Sequence, residues 1–197
     1  SGAVTTMTPI GFVLDSPWDI DFDEDGYLYI ADASSGNIFR TVVSGGNLNI
    51  VNTISPSIAP YFIEATQGNL FVSAFEVGTI RHLTTTGADI ATYYGFTCAS
   101  GLNVNPDTCH VFVNNPCDYS VLSVFPSGIT NNVGVETVVS APYPWLVVPL
   151  GLDVDQNGRI HVTNWDTNSV SHAGIPSWNQ SPWFFGLNNP HGMATDR

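Results

Sequence analysis

The chain has 197 residues, 43% of them hydrophobic, and sets 17 acidic residues against four arginines and no lysine, for a formal net charge of −13. Length and apolar content support a folded core of one domain's size, whereas the lack of basic surface excludes nucleic-acid and anionic-membrane partners. Schiff-base chemistry is excluded with the lysines, and the longest apolar run, at 144–152, is too short and too proline-broken to insert in a membrane.

In chain order, residues 3–11 (AVTTMTPIG) read as an outer fourth strand. Residues 17–32 (PWDIDFDEDGYLYIAD) follow, with Ile20 and Phe22 alternating against Asp19, Asp21 and Asp23, then Asp25-Gly26, then Leu28 and Ile30 alternating against Tyr27, Tyr29 and Ala31. Period-two alternation around an Asp-Gly pair predicts strand, turn, strand. The same stretch matches the opening of a calcium loop, with Asp21, Asp23 and Asp25 as ligand candidates, Gly26 next, and Asp32 at the twelfth position. Residues 27–31 are strand-like where a calcium loop of that kind leads into a helix, and Tyr29 stands at the ninth position, so the hairpin is the first reading and calcium the alternative. Third and fourth strands are expected at 37–43 and 47–54.

The pattern recurs at 60–74, with further strands at 78–85 and 88–95. It recurs at 100–115, followed by 120–126 and 135–140, and at 149–164, followed by 168–175. It begins once more at 190. Starts near 17, 60, 100, 149 and 190 give a period of roughly 40–45 residues, the range of propeller blades. No segment sustains a helical period. The expectation is one all-β domain over 1–197: a β-propeller of four-stranded antiparallel blades, four full repeats plus a partial one.

The hairpin places the cysteines. In the third repeat the first strand is expected at 101–105 and the second at 110–114, so Cys98 and Cys117 flank its open end. Cys109 lies at the turn end, about 15 Å away at about 3.3 Å per residue, beyond the roughly 7 Å a disulfide spans. A Cys98–Cys117 bridge with Cys109 free is predicted, which implies an oxidising compartment and an extracellular or cell-surface protein.

The 17–32 pattern resembles the NHL repeat, and QGNLFVSAFEVGTIRHLTTTG (67–87) is similar to repeats of the virginiamycin B lyase-like propellers. That resemblance implies a ring of about six blades, built from about 250 residues or more. This chain holds fewer, so the ring is small, or the chain is part of a longer one, or a second copy completes it. An unclosed propeller exposes strand edges and an apolar blade face, implying self-association or binding of another protein through residues 4–10 and 191–196.

In such propellers sites gather at the channel mouth, which implies Trp18, Tyr61, Ser100, Leu150 and His191 here. Gluconolactonase-type propellers hold a metal there with Glu, Asn and Asp; Asp15 falls near the first place, while Ser100 and Leu150 fill the other two. PHGMATD (190–196) resembles the amidating-lyase motif whose His binds zinc, making His191 a metal candidate. His82, His110, His161 and His172 do not share its register, and no catalytic residue is assigned. Trp18, Tyr61 and Trp165, with Trp145 and Trp183, form a candidate rim for stacking a glycan or peptide, or else fill blade interfaces. The expected function is a non-enzymatic extracellular binding or structural module. The alternative is part of a metal-dependent propeller lyase or lactonase, with Asp15 and His191 at a zinc or calcium site.

Overall fold

The computed structural model describes residues 6–105, 110–124, 135–139, 146–173 and 181–194. Among these described residues seventeen strands form four sheets, and two three-residue 3₁₀ turns are the helical segments. The chain divides into two compact units, one comprising 1–72 and 81–91, the other 73–80 and 92–197.

The first blade consists of β2 (Pro17–Phe22), β3 (Leu28–Asp32), β4 (Asn37–Ser44) and β5 (Asn47–Ile54), each antiparallel to the next. Its first turn follows from the sequence. The Gly26 N–H donates to the Asp23 carbonyl and the Asp23 N–H to the Tyr27 carbonyl, both at 3.0 Å. Gly26 sits at φ +83°, a left-handed conformation that a side chain disfavours. The fourth repeat repeats this turn at Asp155, Gly158 (φ +72°) and Arg159, with both bonds at 2.9 Å.

Here one expectation is corrected. β1 (Thr8–Ile10) is not the outer strand of a separate blade; it runs parallel to β5 and makes the first sheet five-stranded, in the order β1-β5-β4-β3-β2. The reason is edge chemistry: β5 otherwise ends the sheet with unpaired N–H and C=O groups, and β1 satisfies part of that row. Beyond β1, Phe12 and Leu14 pack on Leu28, Ile30, Phe39 and Leu48, with the Phe12 and Phe39 rings 4.7 Å apart.

The other sheets have four strands each. They are β6 (Ile63–Thr66), β7 (Asn69–Ala74), β8 (Thr79–Thr84) and β9 (Asp89–Tyr94); β10 (Leu102–Val104), β11 (Val111–Asn115), β12 (Ser120–Val124) and β13 (Val135–Val139); and β14 (Pro149–Val154), β15 (Ile160–Asn164), β16 (Ser169–Ala173) and β17 (Ser181–Phe185). β17 was not legible beforehand, because its sequence SPWFF carries Pro182 inside the strand. It lies at the edge of its sheet, where a missing N–H donor is tolerated.

In the first unit, Tyr29, Ala31, Ile38 and Ile54 of the first blade pack against Ile63, Ala65, Leu70, Val72 and Leu83. In the second, Phe112 and Val121 pack against Leu146, Leu152, Val154, Ile160 and Val162. Each core thus sets one blade's second and third strands against the next blade's first and second strands, with Ile54 and Leu83 added in the first. A side-chain oxygen at one repeat position fixes the lead-in to three of the four inner strands. Asp32 accepts the N–H groups of Asp15 (2.8 Å) and Ser16 (2.9 Å), Asn115 those of Thr97 (3.1 Å) and Cys98 (2.8 Å), and Asn164 that of Val147 (3.1 Å). No helix among the described residues is long and apolar enough to cross a membrane.

Candidate functional site

The alternating acids of β2 all have partners. Asp19 and Asp21 project from the face that also carries Tyr29 and Ala31, their cross-strand neighbours on β3. Asp19 Oδ2 accepts the Ile63 N–H at 3.0 Å and Asp21 Oδ2 the Ala65 N–H at 2.7 Å. Glu24 Oε1 continues the row, accepting the Gln67 N–H at 2.6 Å and the Thr66 hydroxyl at 3.2 Å. Three carboxylates therefore bond the strand β6 of the following blade. Burial pushes Asp19 up to about 6 against the pull of two backbone N–H donors, with the Asp21 charge adding to the rise. The Gln67 N–H instead holds Glu24 below its ordinary value.

Asp23 is turned inward on the hairpin. Its Oδ1 accepts the N–H groups of Asp25 (3.1 Å) and Tyr27 (2.9 Å), and its Oδ2 accepts the Tyr29 hydroxyl at 2.9 Å. The Arg40 guanidinium lies 3.8 Å from the same oxygen and 3.7 Å from the centre of the Tyr27 ring. Burial, followed by the bond to Asp23, raises the Tyr29 phenol. The fourth repeat rebuilds this arrangement with other side chains. Asp155 Oδ1 accepts the N–H groups of Asn157 and Arg159, its Oδ2 lies 3.2 Å from His161 Nε2, and His172 stacks on His161 at 6.0 Å. Burial alone would raise Asp155, but the Arg159 N–H, His161 and the Asn157 N–H outweigh it and hold it low. Burial, then the charges of His161 and Arg159, lower His172.

Three of the rim candidates and His191 form two pairs, one in each unit. Trp18 and Tyr61 have ring centres 5.1 Å apart, and Trp18 is half exposed. The His191 imidazole stands edge-on to Trp165 at 4.1 Å, and its carbonyl oxygen accepts the Thr163 hydroxyl at 3.2 Å. Gly151 makes that approach possible, since a Cβ there would lie 2.1 Å from the His191 carbonyl oxygen. Trp145 and the side chain of Trp183 lie outside the described residues. Of the mouth positions, Ser100 is fully buried, its hydroxyl 3.3–3.4 Å from the carbonyls of Asn114, Pro149 and Leu150. Asp15 and His191 belong to different units. Among the described residues no three His, Cys, Asp or Glu side chains converge as a metal site.

The cysteine geometry is as derived from the hairpin: Cys98 and Cys117 are bonded, with Cα atoms 5.7 Å apart. Cys109 lies outside the described residues.

Sequence reasoning expected an exposed apolar blade face but assigned the binding surface to residues 4–10 and 191–196, and so missed where the strongest surface feature lies. Ile20 and Phe22 are 58% and 53% exposed, and Val13 is 82% exposed. Their repeat equivalents are buried: Ile63 and Ala65 at 3% and 5%, Leu152 and Val154 at 5% and 1%. Those four are covered by the blade before them, the first pair by Tyr29, Ala31 and Ile38, the second by Phe112 and Val121. The carboxylate row was missed too, although aligned repeats carry its signal. The residue after each inner-strand Ile or Leu is Asp21, Glu64, Asn103 or Asp153, an acid or amide every time.

No family model and no curated protein matches the chain in sequence. Solved structures do match in fold. Virginiamycin B lyase from Staphylococcus aureus aligns with a TM-score of 0.68 at 15% identity, covering 88% of this chain and 57% of the lyase. A chain of a nidogen–laminin complex aligns with a TM-score of 0.76 at 16% identity, covering 89% of this chain and 67% of that one. A 6-phosphogluconolactonase-like protein from Bacteroides uniformis aligns with a TM-score of 0.65 at 15% identity, covering 88% and 56%. The chain thus spans less than two thirds of the lyase's length. All-β, with blades in this order and these neighbours, it has the β-propeller fold of the virginiamycin B lyase-like and nidogen-type structures over part of their length.

Proposed function

We propose that the chain is a non-enzymatic extracellular propeller module whose work is protein binding, including association with its own kind. The observation that carries this reading is the exposed row of Ile20 and Phe22 on β2, at positions that a neighbouring blade covers in the second and fourth repeats. Ile20 and Phe22, held on one face of β2, form with exposed Val13 a surface that gains by leaving water. A nidogen–laminin complex among the structures of like fold supports a propeller that binds proteins. The Cys98–Cys117 disulfide supports an oxidising, extracellular setting. The Trp18–Tyr61 pair supplies a second, smaller surface on which a peptide or glycan would stack.

The experiment is light scattering coupled to size exclusion over a range of concentrations, on the wild type and an Ile20→Ser/Phe22→Ser variant. Concentration-dependent association lost in the variant supports the reading; a monomer at every concentration, with no protein partner competing for the row, opposes it.

The likeness to a lyase keeps one further reading, a part of a metal-dependent propeller enzyme with His191 toward zinc or calcium. Metal analysis of the purified protein, with His191→Ala as control, decides it. Stoichiometric metal lost in the variant favours the enzyme; metal-free protein counts against it.

A further inference from the structure

The seam between β2 and β6 is held by carboxylates where backbone N–H groups face an open strand edge. Asp19 and Asp21 stand two residues apart on one face of β2, each spending one oxygen on β6, over a core that includes Ile63 and Ala65. We propose that this seam is an acid-tightened clasp: one proton taken up by the Asp19–Asp21 pair removes a like-charge repulsion and a desolvated charge while both carboxyl groups go on accepting their N–H bonds.

The chemistry requires only that a protonated carboxyl keeps a carbonyl oxygen, which accepts an N–H as the carboxylate did. What protonation removes is the cost of holding charge against the apolar seam. The charged and titratable groups around the pair are mostly acids or are engaged by Asp23. On β2 itself there is Asp23, with Glu24 at the turn; Tyr29 on β3 and Arg40 on β4 both engage Asp23. β6 brings Glu64, another acid, and Tyr61 precedes it. Asp21 is the charge that acts on Asp19, and burial is the larger cause of its raised value of about 6.

The sign follows from linkage. Asp19 titrates near 3.8 when unfolded and at about 6 when folded. Between these values the folded chain binds more protons, so this group's contribution to stability grows as pH falls and is lost as pH rises through about 6. Across pH 7 to 5 the shift amounts to about tenfold in the folding equilibrium, less whatever solvent screening removes. His82 and His172, lowered by burial, act oppositely in the same window, so the informative quantity is a difference between variants.

The test is urea unfolding of the full chain at pH 7 and pH 5 for wild type and Asp19→Asn, which keeps an acceptor oxygen for Ile63. The clasp predicts that wild type gains about tenfold on the variant in folding equilibrium on going from pH 7 to 5, and that the variant is at least as stable at pH 7. Parallel pH dependences overturn it. Carboxyl NMR titration of wild-type Asp19 covers the case of a variant that does not fold: a midpoint near 6 supports the clasp, and one near 4 overturns it.

Discussion

At the scale of single residues, polar side chains in this chain are fasteners for backbone. Asp32 is fully buried and holds two N–H groups of the lead-in to β2; Asn115 and Asn164 do the same work at the same repeat position. Replacing Asp32 by Ala leaves two donors without their acceptor and is expected to cost about 1–3 kcal/mol in urea unfolding. Asp32→Asn, the residue found at this position in the third and fourth repeats, is expected to cost less than about 1 kcal/mol. Equal losses for the two would mean that the site needs a charge and not an acceptor. The same logic bears on the alternating acids of 17–32. Their spacing was legible and so was the hairpin; the atoms they bind were not, because Asp19 and Asp21 find partners about 44 residues on. No local pattern names a partner that distant, and only the recurrence of an acid or amide at Asp21, Glu64, Asn103 and Asp153 hints at it.

At the scale of elements, period-two alternation and Asp-Gly or Asn-Gly turns made most strands readable, since those signals are local. Two strands escaped for physical reasons. β1 pairs parallel to β5, a partner selected by an unsatisfied edge and not by anything in its own three residues. β17 hides behind Pro182, which an edge position permits. Close approach sets a further element-level constraint. Gly151 admits the His191 carbonyl, so Gly151→Ala is expected to destabilise the chain by about 1–3 kcal/mol through displaced backbone. Faster amide exchange at 191–194 in the variant than in the wild type would confirm that the loss lies there, and unchanged exchange would refute it. The Cys98–Cys117 bridge joins residues 19 apart, and its removal as a double Ser variant is expected to cost about 3 kcal/mol. The expected labelling pattern of the unfolded, unreduced wild type is a single thiol, that of Cys109.

At the scale of the whole molecule, the question is what magnitude of association the exposed row supports. Burying Ile20, Phe22 and Val13 in full on both of two associating copies contributes about 1.5–3 kcal/mol for each side chain, about 9–18 kcal/mol together, from which about 4–15 kcal/mol for lost translational and rotational freedom must be subtracted. Since a millimolar Kd corresponds to about 4 kcal/mol and a micromolar one to about 8, self-association between these limits is expected and nothing tighter from this row alone. The net charge of −13 opposes the approach of a second copy. Salt screens that repulsion, so association is expected to strengthen as ionic strength rises. A basic protein partner on the same row would show the reverse salt dependence.

Sedimentation equilibrium of the wild type and of Ile20→Ser/Phe22→Ser, from about 10 μM to about 1 mM at low and high salt, tests the central claim most directly. Binding through the β2 row predicts a reversible oligomer of the wild type, strengthened by salt and absent in a folded variant. A wild type that stays monomeric throughout, or a variant that associates equally well, would contradict it.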